Sequence, residues 1–411
     1  MENQISCRFC KAPLNHTFVD LGMSPLCESY LKKEELDKME PFYPLYVYVC
    51  EKCFLVQLNE YVNPEHIFTE YAYFSSYSQA WLDHSKNYVD KMIREKQINK
   101  NSLVVELASN DGYLLQYFHQ NKIPVLGIEP AKNVAEVAIK NGINTKILFF
   151  NESTAKELVR EGIRADLLLG NNVLAQVPDL NSFVKGMKII LKDDGFITME
   201  FPHLMKLMVE NQFDTIYHEH FSYFSFYTVG KIFAEFGLEL FDVEEIPTHG
   251  GSLRIYAKHA GNKKYSRTER MEKLIAKEKE FRINHLDVYS KFTEQVIETK
   301  RKILSLLIDL KRQGKVITGY GAPGKGNTLL NYCGIRSDFI DFTVDRNPYK
   351  HGRYLPGTHI PIHSPEYTKK VKPDYQFILP WNFKDEIIKQ ESYIREWGGK
   401  FIVPIPEPVI V

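Results

Sequence analysis

The chain has 411 residues, long enough for two or three domains with sizeable cores. Hydrophobic residues make up 44% and charged residues 25%, and the formal net charge is +0, so no general basic field exists to hold a nucleic acid. No apolar run reaches membrane-spanning length, and the opening MENQISCRFC is neither basic nor followed by an apolar stretch, so a cytoplasmic location with no secretory signal and no membrane partner is expected.

The first 60 or so residues are Pro-rich and carry five of the six cysteines. CRFC and CEKC place Cys7, Cys10, Cys50 and Cys53 in two CxxC knuckles. Four thiolates so spaced can converge tetrahedrally on Zn²⁺, and a site closed by four cysteines leaves no position for substrate, so the expected metal is structural. Unligated buried thiols or a redox pair are the alternatives. Cys27 and Cys333 stand apart and read as core residues. The segment YAYFSSYSQAW (71–81) holds Tyr71, Tyr73 and Tyr77 among serines. Such a string can build a wall that is part apolar and part hydrogen-bonding for a sugar or nucleoside, or a β-rich packing segment.

From Leu103 the pattern alternates. LVVEL (103–107), VLGIE (125–129), DLLLGNN (166–172) and GFITMEFP (195–202) predict buried parallel strands. Helical stretches at Tyr113 to Gln120, Val134 to Lys140, Ser153 to Glu161 and Leu180 to Leu191 separate them, which is the rhythm of a doubly wound α/β sheet. In VVELASNDGYLL, Ser109, Asn110 and Gly112 form a strand-to-helix turn that would leave backbone amides free for a ligand. Glu106 beside it would repel a diphosphate and suits a cationic head such as the ammonium and sulfonium groups of S-adenosylmethionine. Glu129, ending the next strand, can accept ribose hydroxyls, and Asn171 and Asn172 end a third strand at the same rim. An ordinary tight turn with a solvated acid is the plain alternative.

IYHEHFSYFS (216–225) sets Tyr217, His218, Glu219 and His220 before an apolar run. A spacing of two cannot bring His218 and His220 together on a helix as HExxH does, so acid–base work is preferred to metal binding, with a solvated polar loop as the plain alternative. A helix near Val229 to Phe236 and runs at 238–246 and 252–258 predict a closing antiparallel hairpin. Residues 263–313 read as a helical connector, broken once near Asn284. A second α/β pattern follows: KVITGYGA (315–322), a helix near Lys325 to Tyr332, FIDFTVD (339–345) and YQFILP (375–380), then an apolar tail that reads as a terminal strand or a strap.

GYGAPGKG satisfies GxGxxG at Gly319, Gly321 and Gly324, with Asp345 ending the next strand. The NTPase reading fails because Gly326 stands where Ser or Thr should hold Mg²⁺, and Pro323 removes an amide from a dinucleotide loop. An anion-accepting turn with Lys325 and Asn327 at a helix start remains, suited to the pyrophosphate of a nucleotide sugar; structural glycines are the alternative.

Taken together, the paired CxxC, YAYFSSYS, VELASNDGYLL, NNVLAQVPDL, DTIYHEHFSYFS, THGGSLRIY, GYGAPGKGNTLLNYCG and VDRNPYKHGRYLPGTHIPI resemble the sugar C-methyltransferase family that acts on nucleotide-linked keto-deoxysugars, over nearly the whole length. The resemblance implies a zinc-binding N-terminal domain (1–70), a central doubly wound, Rossmann-like methyltransferase domain using S-adenosyl-L-methionine (71–262), and a connector with a C-terminal Rossmann-like domain (263–411). It implies a nucleotide sugar, with dTDP expected, bound between the last two; separately, the sequence shows no obvious dimer helix, so a monomer is expected. Tyr217, Glu219 and His220 are expected around the reacting carbon, with Tyr71 and Tyr73 as further catalytic candidates. Tyr77, Gln176, His218, Gly250, Arg254, Gly321, Lys325 and Asn327 are expected on the substrate. One departure stands out: Gln176 occupies a position where the family usually has histidine, so a titrating role is lost there. An NAD-dependent oxidoreductase built on the 319–324 loop and Asp345, and a non-catalytic nucleotide-sugar-binding protein, are the competing expectations.

Overall fold

Strands Val104–Leu107, Val125–Ile128, Ala165–Asn171 and Leu191–Pro202 are the apolar runs named above, and their buried Val, Leu and Ile side chains suit a parallel sheet covered on both faces. In the computed structural model, which describes residues 5–62 and 75–411, they belong to a sheet of seven described strands. Its order is Leu238–Ile246, Ser252–His259, Leu191–Pro202, Ala165–Asn171, Val104–Leu107, Val125–Ile128 and Thr145–Lys146. The hairpin Leu238–Ile246/Ser252–His259 pairs antiparallel at one edge and the other strands run parallel. From Val104–Leu107 the chain winds first to one side and then to the other, so the order reverses beside this strand. The carboxyl ends of Val104–Leu107 and Ala165–Asn171 flank that switch point, where sheets of this class bind ligands.

Side-chain caps start the helices Glu152–Arg160 and Leu180–Ile190 between these strands. Asn151 accepts from the Thr154 amide at 3.0 Å and Asp179 from the Ser182 amide at 3.1 Å. Val89, Met92, Leu115, Phe118 and Ala138 pack against Val104, Leu167 and Phe196 to form the core under the sheet. The connector is two helices, Glu269–Glu280 and Leu286–Arg312, broken at 281–285 as expected.

A second sheet of six described strands has the order Ile362–His363, Thr343–Val344, Ile317–Tyr320, Tyr375–Ile378, Lys400–Val403 and Val409–Ile410. All are parallel except the last, so the apolar tail forms strands. The run FIDFTVD contributes only Thr343–Val344, because the amides of Phe339 and Ile340 turn back onto the Arg336 carbonyl.

The described residues fall into two compact units that do not follow chain order. One contains the residues up to Asn15, Cys50–Leu204 and Glu219–His285; the other contains His16–Val49, Met205–His218 and Leu286–Val411. The second therefore includes the antiparallel pair His16–Ser24/Tyr43–Val49, and the division falls between His218 and Glu219.

The glycines of GYGAPGKG are packing residues. A Cβ on Gly319 would meet Thr343 Oγ1 at 2.7 Å, one on Gly324 would meet Cys27 Sγ at 2.9 Å, and one on Gly321 would meet Pro380 Cδ at 2.6 Å. Gly321 also holds φ +85°, a left-handed backbone that side chains resist. Gly321→Ala is expected to lower stability by about 1–3 kcal/mol, read as an earlier midpoint in equilibrium urea unfolding.

Candidate active site and metal centre

The two knuckles are built alike. The Lys11 amide donates to the Cys7 carbonyl at 3.0 Å and the Phe54 amide to the Cys50 carbonyl at 2.9 Å. The residue four past the first cysteine is left-handed in both, Lys11 at φ 61° and Phe54 at φ 62°. The sulfurs of Cys7, Cys10, Cys50 and Cys53 all lie within 4.8 Å of one another, with Cys7–Cys53 and Cys10–Cys50 each at 3.5 Å. Tetrahedral Zn–S bonds of about 2.3 Å space sulfurs about 3.8 Å apart, so the donor set fits Zn²⁺. Hydrogen bonds from Cys50 and Cys53 pull the Cys7 thiol down to about 3, while bonds to Cys50 and Cys7 push Cys53 upward. Thiols this close compete for protons that a cation displaces. With four protein ligands the site is closed. A chelator is therefore expected to lower the melting temperature and release one zinc per chain, and Cys50→Ser to do the same, measured by thermal unfolding beside metal analysis.

At the switch point the strand Val104–Leu107 runs into a turn held by three left-handed residues, Ala108 at φ 55°, Asn110 at φ 50° and Gly112 at φ 79°. The Asn110 amide donates to Glu129 Oε2 at 2.9 Å and the Ala131 amide to Glu129 Oε1 at 2.8 Å. Asn110 Oδ1 accepts from the Ser75 amide at 3.0 Å and Asp111 Oδ2 from the Ser76 amide at 3.1 Å, so the serine segment is tied to this loop. Gly127 makes the room: a Cβ there would sit 2.4 Å from Ser109 Oγ.

Three carboxyls crowd this turn. Burial raises Glu106 well above the usual carboxylate range, the Tyr113 hydroxyl opposes the shift, and the charges of Glu129 and Asp111 add to it. Burial raises Glu129 to about 7, against the two backbone amides and with Asp111. Among the described residues, Ser109 Oγ, Asp111 Oδ1, Asn171 Nδ2 and Asn172 Oδ1 are buried without a hydrogen-bond partner. Unpaired buried acceptors beside mutually repelling acids favour a cationic ligand and disfavour a diphosphate. The residues therefore fit S-adenosyl-L-methionine: Glu106 and Asp111 would hold its cationic end and Glu129 its ribose.

Several groups at this rim lie outside the expected set. Glu200, near the end of its strand and in register with Asn171 and Arg254, accepts from His84 Nε2 at 2.9 Å, Arg254 at 2.9 Å and Thr248 Oγ1 at 3.0 Å. Burial alone would raise Glu200, but the His84 hydrogen bond and the Arg254 charge outweigh it and hold the carboxylate below its usual range. Trp81 stacks on His84 at 5.0 Å and meets His249 edge-on at 5.4 Å, and His249 Nε2 lies 2.9 Å from Asn172 Nδ2. His249 at φ 55° and Asn172 at φ 58° are also left-handed, so strained backbone gathers here. Arg254 is committed to Glu200 and Glu244 and is buried over the Tyr88 ring at 4.7 Å, which makes it a brace for Glu200. Gly250 lies in the turn Thr248–Gly250 next to these groups.

Glu219 and His220 are buried in the first unit. They precede Phe221, whose amide donates to the Ala175 carbonyl at 2.8 Å and whose carbonyl accepts from the Leu58 amide at 3.0 Å. The loop thus lies along the turn Leu174–Gln176, directly after Asn171 and Asn172, with Gln176 half-buried. Tyr217 and His218 fall in the second unit. His218 Nε2 contacts the Pro44 carbonyl at 3.2 Å, and burial lowers its pKa. The Ile216 carbonyl accepts from Thr328 Oγ1 at 3.0 Å, which sets Tyr217 beside the helix Gly324–Cys333. Tyr77 is exposed, while Tyr71 and Tyr73 lie outside the described residues.

In the second unit Asp345 faces its own chain. Its Oδ2 accepts from the Ala322 amide at 2.7 Å and its Oδ1 from the Asn347 amide at 2.8 Å. The acid that a dinucleotide fold offers to ribose is used here to fasten the loop, and the Gly321 amide is bound to Val344. Lys325 sits 4.6 Å over the Trp381 ring, with Nζ 3.0 Å from Asn382 Oδ1, and burial lowers its pKa against the charge of Asp214. The Asn327 side-chain nitrogen donates to the Cys27 carbonyl, and its Oδ1 is buried without a partner among the described residues. The helix Gly324–Cys333 starts without a side-chain cap.

The first sheet, with its acid-lined switch point and the four-cysteine cluster, defines an S-adenosyl-L-methionine-dependent methyltransferase carrying a zinc module. Family models agree: residues 7–68 match the "Putative zinc binding domain", 83–243 the "Methyltransferase domain" and 247–406 the "C-methyltransferase C-terminal domain". C-methyltransferase NovU from Streptomyces niveus is 36% identical over 405 residues, covering 98% of this chain and 96% of its own. The chain belongs to this C-methyltransferase family. Among solved structures, the magnesium protoporphyrin IX methyltransferase of Synechocystis PCC 6803 with bound SAM is similar at 12% identity over 44% of this chain and 79% of its own, with a TM-score of 0.34. An S-adenosylmethionine-dependent methyltransferase from Anabaena variabilis is similar at 15% identity over 43% and 84%, with a TM-score of 0.36.

Among the described residues, no helix is long and apolar enough to cross a membrane.

Proposed function

We propose that the enzyme methylates a carbon next to the ketone of a nucleotide-linked keto-deoxysugar, dTDP being the first nucleotide to test, in the cytoplasm and as a monomer. The three-part division at residues 70 and 262, the roles below and the substrate contacts belong to this proposal. When bound, S-adenosyl-L-methionine supplies an electrophilic methyl group on a sulfonium.

A C–H proton leaves only if the carbanion delocalises into an adjacent carbonyl, so the site needs a base and a donor for the enolate oxygen. His220, or Tyr217, takes the proton, and Glu219 orients the base. Gln176 offers a neutral amide donor where a titrating group is absent. His84, held by Glu200 against Trp81, is a further proton-handling group at the same rim. Tyr71 and Tyr73 are further catalytic candidates, and Tyr77, His218 and Gly250 are assigned to the sugar. The uncapped helix start with Lys325 and Asn327 receives the pyrophosphate, with Gly321 shaping the turn before it.

The observation that supports this reading is the seating of Phe221 on Ala175 and Leu58, which ties the segment of Glu219 and His220, both buried, to the turn that follows Asn171 and Asn172. Mass spectrometry of keto-deoxysugar nucleotides incubated with the enzyme and methyl-labelled cofactor tests it. One labelled methyl on the sugar supports the reading, and no labelled sugar across a panel of dTDP, UDP and GDP keto sugars contradicts it.

A further inference from the structure

We infer that Arg8 is a positioning residue for the Glu219–His220 loop, so that the cysteine module sets the geometry of methyl transfer as well as holding the N-terminal fold; this rests on reading that loop as the proton-handling site.

Arg8 lies inside CRFC, between Cys7 and Cys10. Its amide donates to Gln57 Oε1 at 2.8 Å, and Gln57 Nε2 donates to Cys7 Sγ at 3.2 Å, so its backbone is fixed to the cysteine cluster. The side chain ties three segments together. One guanidinium nitrogen donates to the Pro178 carbonyl at 2.8 Å, a second donates to the Leu58 carbonyl, and the guanidinium carbon stands 5.4 Å from the centre of the Phe221 ring.

The same segments grip Phe221 by its backbone. The Leu58 amide donates to the Phe221 carbonyl, and the Phe221 amide donates to Ala175, three residues before Pro178. The neighbouring pair Val56↔Tyr223 and Gln57↔Ser222 extends this attachment. Phe221 follows His220 directly, so a shift of the Arg8 fork moves the catalytic candidates. Only a planar fork reaches two carbonyls and a ring face at once; a lysine keeps the charge and loses that geometry. Among the described residues the side-chain hydrogen bonds of Arg8 go to backbone carbonyls, while Cys7, Glu60 and Tyr223 act on it through charge, so the fork serves directional bonding to backbone and cation–π contact.

Three variants test this beside the wild type. Arg8→Ala removes fork and charge, Arg8→Lys keeps the charge alone, and Phe221→Leu removes the ring. For each, zinc content, S-adenosylhomocysteine affinity, kcat, KM for the cofactor and solvent-deuterium wash-in at the reacting sugar carbon are measured. The expected result is full zinc, unchanged cofactor affinity and KM, and kcat and wash-in falling together, by about 10²-fold in Arg8→Ala as for a misplaced catalytic group. Arg8→Lys should not rescue. Wild-type kcat in a zinc-loaded Arg8 variant overturns the inference. So does loss of zinc and cofactor affinity in step with activity in all three variants, which makes Arg8 a brace of the fold only. A wild type that methylates no keto sugar overturns the functional reading together with this inference; an active wild type with indifferent variants overturns this inference alone.

Discussion

His220→Ala is expected to lower kcat by about 10²–10⁴-fold, the usual contribution of a positioned proton-transfer group. The cofactor's protection against heat should be unchanged, because the acids at the switch point stay in place. His220 is buried and follows Glu219, with the Tyr223 ring edge-on at 6.1 Å, so its loop is packed from several sides. Tyr217→Phe separates the two candidate bases. If His220 is the base, the tyrosine variant keeps solvent-deuterium wash-in at the sugar carbon and the histidine variant loses it. The opposite pattern gives the role to Tyr217. Full activity in both contradicts the assignment of this loop to proton transfer.

The second large effect is on cofactor binding. Glu106→Gln is expected to weaken S-adenosyl-L-methionine about 10–100-fold, the scale of one hydrogen bond to a charged group, measured by titration calorimetry. The same acids make stability depend on pH. Glu129 rises from its usual 4.5 to about 7, and Glu106 moves the same way. A carboxyl whose folded value is raised binds protons more tightly in the folded chain than in the unfolded one. Its stabilisation is complete below 4.5 and disappears as pH rises through the folded value. The free enzyme therefore loses this part of its stability between 4.5 and about 7, and further up for Glu106. The cationic cofactor offsets the loss, so its thermal protection should grow with pH over that window and grow less in Glu106→Gln. Protection that shrinks with rising pH contradicts the acid-lined site.

Much of the first sheet was legible because strands buried on both faces are unbroken apolar runs, and the helices between them show a different period. Glu106 and Glu129 were legible by the same token, as acids in apolar strand ends. Glu200 obeys that rule too, in the run GFITMEFP, and could have been found by it. Its partners could not, since His84 lies 116 residues away and only the fold joins them. The strands His16–Ser24 and Tyr43–Val49 were passed over because Pro and Cys dominate the local pattern, although Tyr43–Val49 alternates buried and half-buried positions as an antiparallel strand should. The Gly-rich loop at 319–326 shows the converse. Its spacing matches a dinucleotide fingerprint, yet Thr343, Pro380 and Cys27 fill the space beside its glycines, and both oxygens of Asp345 accept backbone amides. A motif records where glycine is required and leaves open whether a ligand or the protein itself requires it.

The most direct test of carbon-acid chemistry follows two labels through one turnover. The enzyme is given cofactor bearing a ¹³C methyl group and a nucleotide keto-deoxysugar deuterated at the carbons next to the ketone, and the product is read by NMR. The account predicts the ¹³C methyl bonded to one of those carbons, with that carbon's deuterium replaced. A ¹³C methyl bonded to oxygen, with every deuterium retained, contradicts it.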